Sequence, residues 1–106
     1  MILSGNILHL YVLFYINLRK RDKVMFYVYI LKSVGVDWRY VGYSSDLKER
    51  FRQHNNGKVK ATRNYRPFEL ACYIAVMDKE TALKLERYFK SGSGIAWMNR
   101  HLLAER

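Results

Sequence analysis

Two short runs rich in tyrosine and β-branched residues, Phe26 to Lys32 and Arg39 to Tyr43, are separated only by a turn containing Gly35 and Asp37. Their composition and length read as two strands, and the short link makes them an antiparallel hairpin. That hairpin sets the frame for the rest of the domain. The second run passes directly into Ser44-Ser45-Asp46-Leu47-Lys48-Glu49-Arg50, where Asp46 can cap a helix start with Glu49 three residues later. Leu47, Phe51 and Asn55 continue one face of that helix until Gly57 stops it. Arg50 and His54 lie four apart on it, so their side chains are neighbours.

Gly57 to Pro67 is a basic, turn-rich loop. Phe68 to Val76 is nearly continuous in apolar residues, which predicts a third strand buried on both faces. Asp78 is placed to cap a second helix from Lys79 to Lys90, Gly92-Ser93-Gly94 is expected to break it, and Ile95 to Leu103 supports a short terminal helix with Met98 and Leu102 inward. The order ββαβαα implies an α+β domain, a small and mostly antiparallel sheet covered by helices. At 106 residues the chain is expected to form a single domain over 25–106.

Residues 1 to 24 differ from the rest. Ile7 to Ile16 is nearly apolar and is followed by Arg19, Lys20, Arg21 and Lys23. A secretory signal has its charges before the apolar run, and a membrane span needs about 20 apolar residues, so neither pattern is met. The segment reads as an N-terminal extension, with Met25 as the start of the domain. Cys72 is the only cysteine, which rules out an intramolecular disulfide and leaves a cysteine zinc site without ligands. A cytoplasmic chain with no membrane partner is the expectation.

Nineteen Lys+Arg against nine Asp+Glu give a formal net charge of +10, which favours a polyanionic partner, nucleic acid first. Much of the excess is concentrated in Lys48, Arg50, Arg52, Lys58, Lys60, Arg63 and Arg66, opposed in that stretch only by Glu49. Lys58, Lys60, Arg63 and Arg66 are the candidate phosphate contacts.

Three residues stand out chemically. With residues placed 100° apart on the second helix, Glu86 falls inside the apolar arc between Ala82 and Leu83, a costly position for a carboxylate unless it is paired or ligated. Arg50 is suited to hold a phosphate, and His54 to take a proton near neutral pH or orient a water. Each also has a plain reading: for Glu86 a salt bridge to a nearby arginine or a place at the wet edge of the arc, a solvated helix face for Arg50, a helix-end histidine for His54. Tyr27, Tyr29, Tyr40 and Tyr43 suit strand packing, but Gly42 between two tyrosines marks a bulge or a close approach by backbone or ligand.

Taken together these residues resemble the GIY-YIG nuclease superfamily, in particular its small single-domain members similar to the UvrC catalytic domain and to intron-encoded endonucleases. Val28-Tyr29-Ile30 stands at the first triplet, Tyr40-Val41-Gly42 matches the second, and Arg50 falls at the family's arginine within Ser44 to Arg50. His54 matches a histidine common in the subgroup, and Glu86 lies on the later helix that carries the metal-binding glutamate. The sequence departs from the pattern in Val28 for glycine, in Tyr43 where UvrC-type domains have lysine, and in Asn99, which is off the spacing of the family's asparagine.

The resemblance implies a three-stranded antiparallel sheet flanked by helices and hydrolysis of DNA phosphodiesters, with repair or recombination as the setting. One divalent cation, Mg²⁺ or Mn²⁺, is expected on Glu86 with waters filling its shell. Tyr29, Tyr40, Arg50, His54 and Glu86 are the expected catalytic set, with Tyr43 and the basic loop on nucleic acid. A tyrosine base, with an ordinary pKa of about 10, needs nearby cations to lower it. The rival reading is a non-catalytic nucleic-acid-binding module using the same basic loop and tyrosines. Selectivity is expected to come from nucleic-acid structure or from a protein partner.

Overall fold

The computed structural model describes residues 25–103, so the N-terminal extension lies outside the described residues. The order is β1 (Phe26–Ser33), β2 (Arg39–Ser44), α1 (Leu47–Asn55), a 3-10 turn (Arg63–Tyr65), β3 (Phe68–Val76), α2 (Lys79–Lys90) and α3 (Gly92–His101). This is the expected ββαβαα arrangement, an α+β domain with a three-stranded antiparallel sheet of order β2-β1-β3.

The hairpin forms as its sequence predicts, with Tyr29 opposite Gly42, Leu31 opposite Tyr40, and Val28 opposite Tyr43. Directly opposed residues share a face of the sheet. Tyr29, Leu31 and Tyr40 therefore point to one side, where α1 adds Leu47 and Phe51 to their apolar cluster. Val28, Ile30 and Val41 point to the other, against Ala82 and Phe89 of α2 and Met98 of α3. Because β1 is central, both its faces are buried, and each fully buried Val or Ile there contributes about 1.5–3 kcal/mol.

β3 corrects the expectation from sequence. It is an edge strand whose residues alternate between half-buried and exposed after Phe68, and Tyr73 is left in solvent. Its apolar run predicted burial on both faces, but at the edge of the sheet every second residue after Phe68 faces solvent. Pairing to β1 shifts register between Ile30 and Leu31, where Ala71 is the extra residue.

Both caps form as the sequence implies: Asp46 accepts from the Glu49 amide at 3.2 Å, and Asp78 from the Thr81 amide at 2.8 Å. The Gly92-Ser93-Gly94 segment is a second correction. It is the first turn of α3, and the break between helices is the single residue Ser91, which ends α2 and caps α3 by accepting from the Gly94 amide at 3.1 Å. Glycine is needed at 94 because a Cβ there would lie 2.5 Å from the Tyr88 carbonyl carbon.

Candidate active site

The site is built around the phenol of Tyr29, on the central strand and 1% exposed. Its ring leaves the sheet over the neighbouring strand. A Cβ added at Gly42 would sit 2.5 Å from Tyr29 Cζ and closer still to the hydroxyl, so the glycine of the second triplet is the space that the tyrosine of the first occupies. The close approach marked by Gly42 is thus made by a side chain of this domain.

From α1, His54 reaches the same hydroxyl. Its Nε2 lies 2.8 Å from Tyr29 Oη and its Nδ1 lies 2.7 Å from Thr62 Oγ1, with all three residues fully buried. The Thr62 hydroxyl points back toward the Val59 carbonyl at 3.5 Å. The network assigns the tautomer: Thr62 donates to Val59 and accepts from His54 Nδ1–H, leaving Nε2 to accept the Tyr29 proton. Burial, reinforced by the Arg50 charge, pushes the His54 pKa down to about 4, so the imidazole is neutral at physiological pH.

Burial pushes the Tyr29 phenol up to about 12, and it outweighs the hydrogen-bonding and charge of Arg50, which act in the opposite direction. Arg50 thus lowers it, as expected of a cation, but burial is the larger effect. Tyr40 and Glu86 also act on the phenol, each raising its pKa. By contact, Tyr29 of β1 meets His54 of α1 and Tyr40 of β2. The Tyr40 ring completes the enclosure, 6.4 Å from Tyr29 and 5.2 Å from His54 between centroids.

Arg50 is half-buried one turn before His54, with Nη1 donating to Gln53 Oε1 at 3.1 Å. Glu86 is neither sunk in the core nor free on the surface; its side chain is 21% exposed and meets Lys90 Nζ at 3.3 Å. The partner is a lysine on the next turn of α2, in place of the arginine that the plain reading of the sequence implies. An i,i+4 pair of this kind is legible in sequence. Among the described residues no three His, Cys, Asp or Glu side chains gather at one point. A hard cation here would rest on the Glu86 carboxylate and waters. That donor set suits Mg²⁺ or Mn²⁺, and Oε2 alone is engaged with Lys90.

The remaining expected residues lie apart from this centre. Tyr43 points to the opposite face of the sheet, stacked on Phe26 at 6.4 Å. Lys58, Lys60, Arg63 and Arg66 are exposed on the loop after α1. Asn99 accepts from Arg39 Nη1 at 2.6 Å on the surface. Two features had no signal in the sequence. Thr62 is a small polar residue inside a basic loop, and Trp38 stacks on Tyr65 at 3.9 Å with planes 10° apart, across a separation no local pattern reveals.

A hairpin tyrosine pair packed against a buried histidine, an arginine one turn before it on the same helix, and a part-buried glutamate on a later helix define a GIY-YIG-type domain. The chain belongs to that family of nucleases: the GIY-YIG catalytic domain profile matches residues 25–95. It is 38% identical over 65 residues to the UPF0213 protein YazA of Bacillus subtilis, a match covering 60% of this chain and 65% of that protein. It is 42% identical over 65 residues to the UPF0213 protein SpyM3_1077 of Streptococcus pyogenes serotype M3, covering 60% of this chain and 70% of the relative. The solution NMR structure of the UPF0213 protein BH0048 from Bacillus halodurans is 33% identical, with a TM-score of 0.46 over 72% of this chain and 83% of that one. No helix among the described residues is long and apolar enough to cross a membrane.

Proposed function

We propose that the protein is a metal-dependent endonuclease that hydrolyses DNA phosphodiester bonds, with Tyr29, Tyr40, Arg50, His54 and Glu86 as its catalytic set. The observation that carries this reading is the buried Tyr29–His54 hydrogen bond, held from behind by Thr62, with Arg50 one turn before His54 on α1. A purely structural tyrosine needs one partner; this one has a proton acceptor and a cation from α1 and feels the charge of a carboxylate on α2.

The raised pKa of Tyr29 means that it does not act as a preformed phenolate. In the proposed step the attacking water gives a proton to Tyr29 Oη as the phenol passes its own to His54 Nε2. The Thr62 and Val59 contacts hold the imidazole in the tautomer that can receive it. Tyr40 walls the site and orients the water. Arg50 donates to the non-bridging oxygens, where negative charge gathers in the transition state. A divalent cation held by Glu86 and waters would supply Lewis-acid stabilisation of the phosphate and of the leaving oxygen. Lys58, Lys60, Arg63 and Arg66 attract the backbone without reading bases.

The test incubates purified protein with supercoiled, branched and single-stranded DNA, with Mn²⁺ and with chelator. Cleavage is expected only with metal. Glu86→Ala should abolish it while leaving DNA affinity equal or higher, since one negative charge leaves a basic surface. Arg50→Ala should abolish cleavage and weaken binding. Cutting by Glu86→Ala at the parental rate would show that the site is wrongly assigned. Binding without cleavage across several metals would favour the binding-module reading instead.

A further inference from the structure

A groove of about 480 Å³ runs along the outer edge of β2, between that strand and the start of α3. Trp38, Tyr40 and Ile95 give it apolar walls, and Arg39 and Lys90 place two cations at its sides, against the single carboxylate of Asp37. It is continuous with the candidate active site, because Tyr40 belongs to both and Lys90 is the ion-pair partner of Glu86.

The aromatic wall extends beyond the groove. The Trp38 and Tyr40 rings are 24° from parallel with centroids 6.2 Å apart, and Trp38 also stacks on Tyr65 at 3.9 Å. Tyr65 sits in the 3-10 turn beside the exposed Arg63 and Arg66. Three rings thus lead from the basic loop to the active-site edge. Core packing alone does not account for the far end of this strip, where Tyr65 remains 37% exposed in a turn that also carries Arg63. The pairs now engaging the groove's cations are Arg39 with Asn99 and Lys90 with Glu86, surface contacts of small net worth that an anionic ligand can replace.

We propose that the strip formed by Tyr65, Trp38 and Tyr40 is a stacking platform for unpaired bases of the strand being cut, with Arg39 and Lys90 on its phosphates. This rests on the nuclease reading and narrows its substrate class to nucleic acid with unpaired bases beside the scissile bond. Tyr65 and Trp38 cover one another's facing sides, so a base adds at the open end of the stack with its phosphate against the flanking cations, and stacking of this kind tolerates any sequence. In an intact duplex the base faces are already occupied by their neighbours, so only an unpaired base can use the platform.

The experiment measures binding in chelator, separately from cleavage, by fluorescence anisotropy. The probes are a short labelled single strand, the same strand with abasic positions, and a blunt duplex. Tyr65→Ala is expected to weaken single-strand binding by about tenfold, with duplex binding unchanged and abasic-strand binding insensitive to the substitution. Trp38→Leu should act in the same direction and Trp38→Phe should restore binding, which separates stacking from a folding defect. In a Trp97→Phe background, Trp38 is the only tryptophan; its fluorescence should be quenched by the normal strand and not by the abasic one. Parental single-strand affinity in Tyr65→Ala, or equal losses for strand and duplex, would overturn the platform. If the platform fails while metal-dependent cleavage persists, the nuclease reading stands; if cleavage fails while base-dependent binding persists, it is the nuclease reading that falls.

Discussion

Gly42→Ala tests the central packing claim directly. The added methyl would lie 2.5 Å from Tyr29 Cζ, well inside van der Waals contact, and Tyr29 is 1% exposed and hydrogen-bonded to His54. Overpacking of this kind costs about 1–3 kcal/mol. If the ring swings away it also leaves the buried His54 Nε2 unpartnered, about 1–3 kcal/mol more, while relief of glycine's excess entropy in the unfolded chain returns roughly 0.5–1 kcal/mol. The net expectation is a loss of about 1–5 kcal/mol, which for a domain of this size lowers Tm by at least ~4 °C. Gly35→Ala is the control: nothing lies within 4 Å of its Cβ position, so its Tm should stay near the parent's. Thermal melts followed by far-UV circular dichroism give both values. Repeating Gly42→Ala in a Tyr29→Leu background, which removes the clashing atoms, should recover much of the loss as a coupling of about 0.5–3 kcal/mol. A Gly42→Ala protein that melts with Gly35→Ala, or a cost that is the same when Tyr29 is gone, would show that the Tyr29 ring does not occupy the space at Gly42.

The depressed His54 pKa makes folding pH-dependent: between its ordinary 6.5 and about 4 the unfolded chain binds a proton the folded one lacks, so stability rises with pH. Going from pH 7.5 to pH 5 should cost roughly 2 kcal/mol in urea denaturation, and His54→Gln should remove most of that difference; equal parental stability at both pH values would contradict a buried neutral imidazole. Replacing Lys58, Lys60 and Arg63 together by alanine should flatten the slope of log K against log[salt] for duplex DNA by about 0.9 for each phosphate no longer neutralised, and an unchanged slope would move the binding surface elsewhere. A chain starting at Met25 should unfold cooperatively and keep any activity; loss of cooperative unfolding would make residues 1 to 24 part of the core.

Much of this architecture is local and therefore legible in the sequence. The hairpin follows from two β-rich runs and a short turn, α1 and α2 from Asp46 and Asp78 at cap positions, and the Arg50–His54 adjacency from helical spacing. Each is fixed by contacts between residues a few positions apart. The triplets and their helix residues likewise point to the family through spacing along the chain.

What the tertiary structure alone decides is the environment of those residues. Whether an apolar run is central or at an edge depends on which strands it meets, and β3 falls at the edge because β1 occupies the middle. Tyr29 lies across Gly42 only because the hairpin register sets them opposite one another. The sign of its pKa shift could not be read from the nearby arginine, since burial competes with that charge and wins. Thr62 and Tyr65 acquire their roles from His54 and Trp38, partners that folding brings to them and no spacing announces. Sequence determines which chemical groups the chain carries and which near neighbours they have; desolvation and long-range contact, both properties of the packed whole, determine what those groups can do.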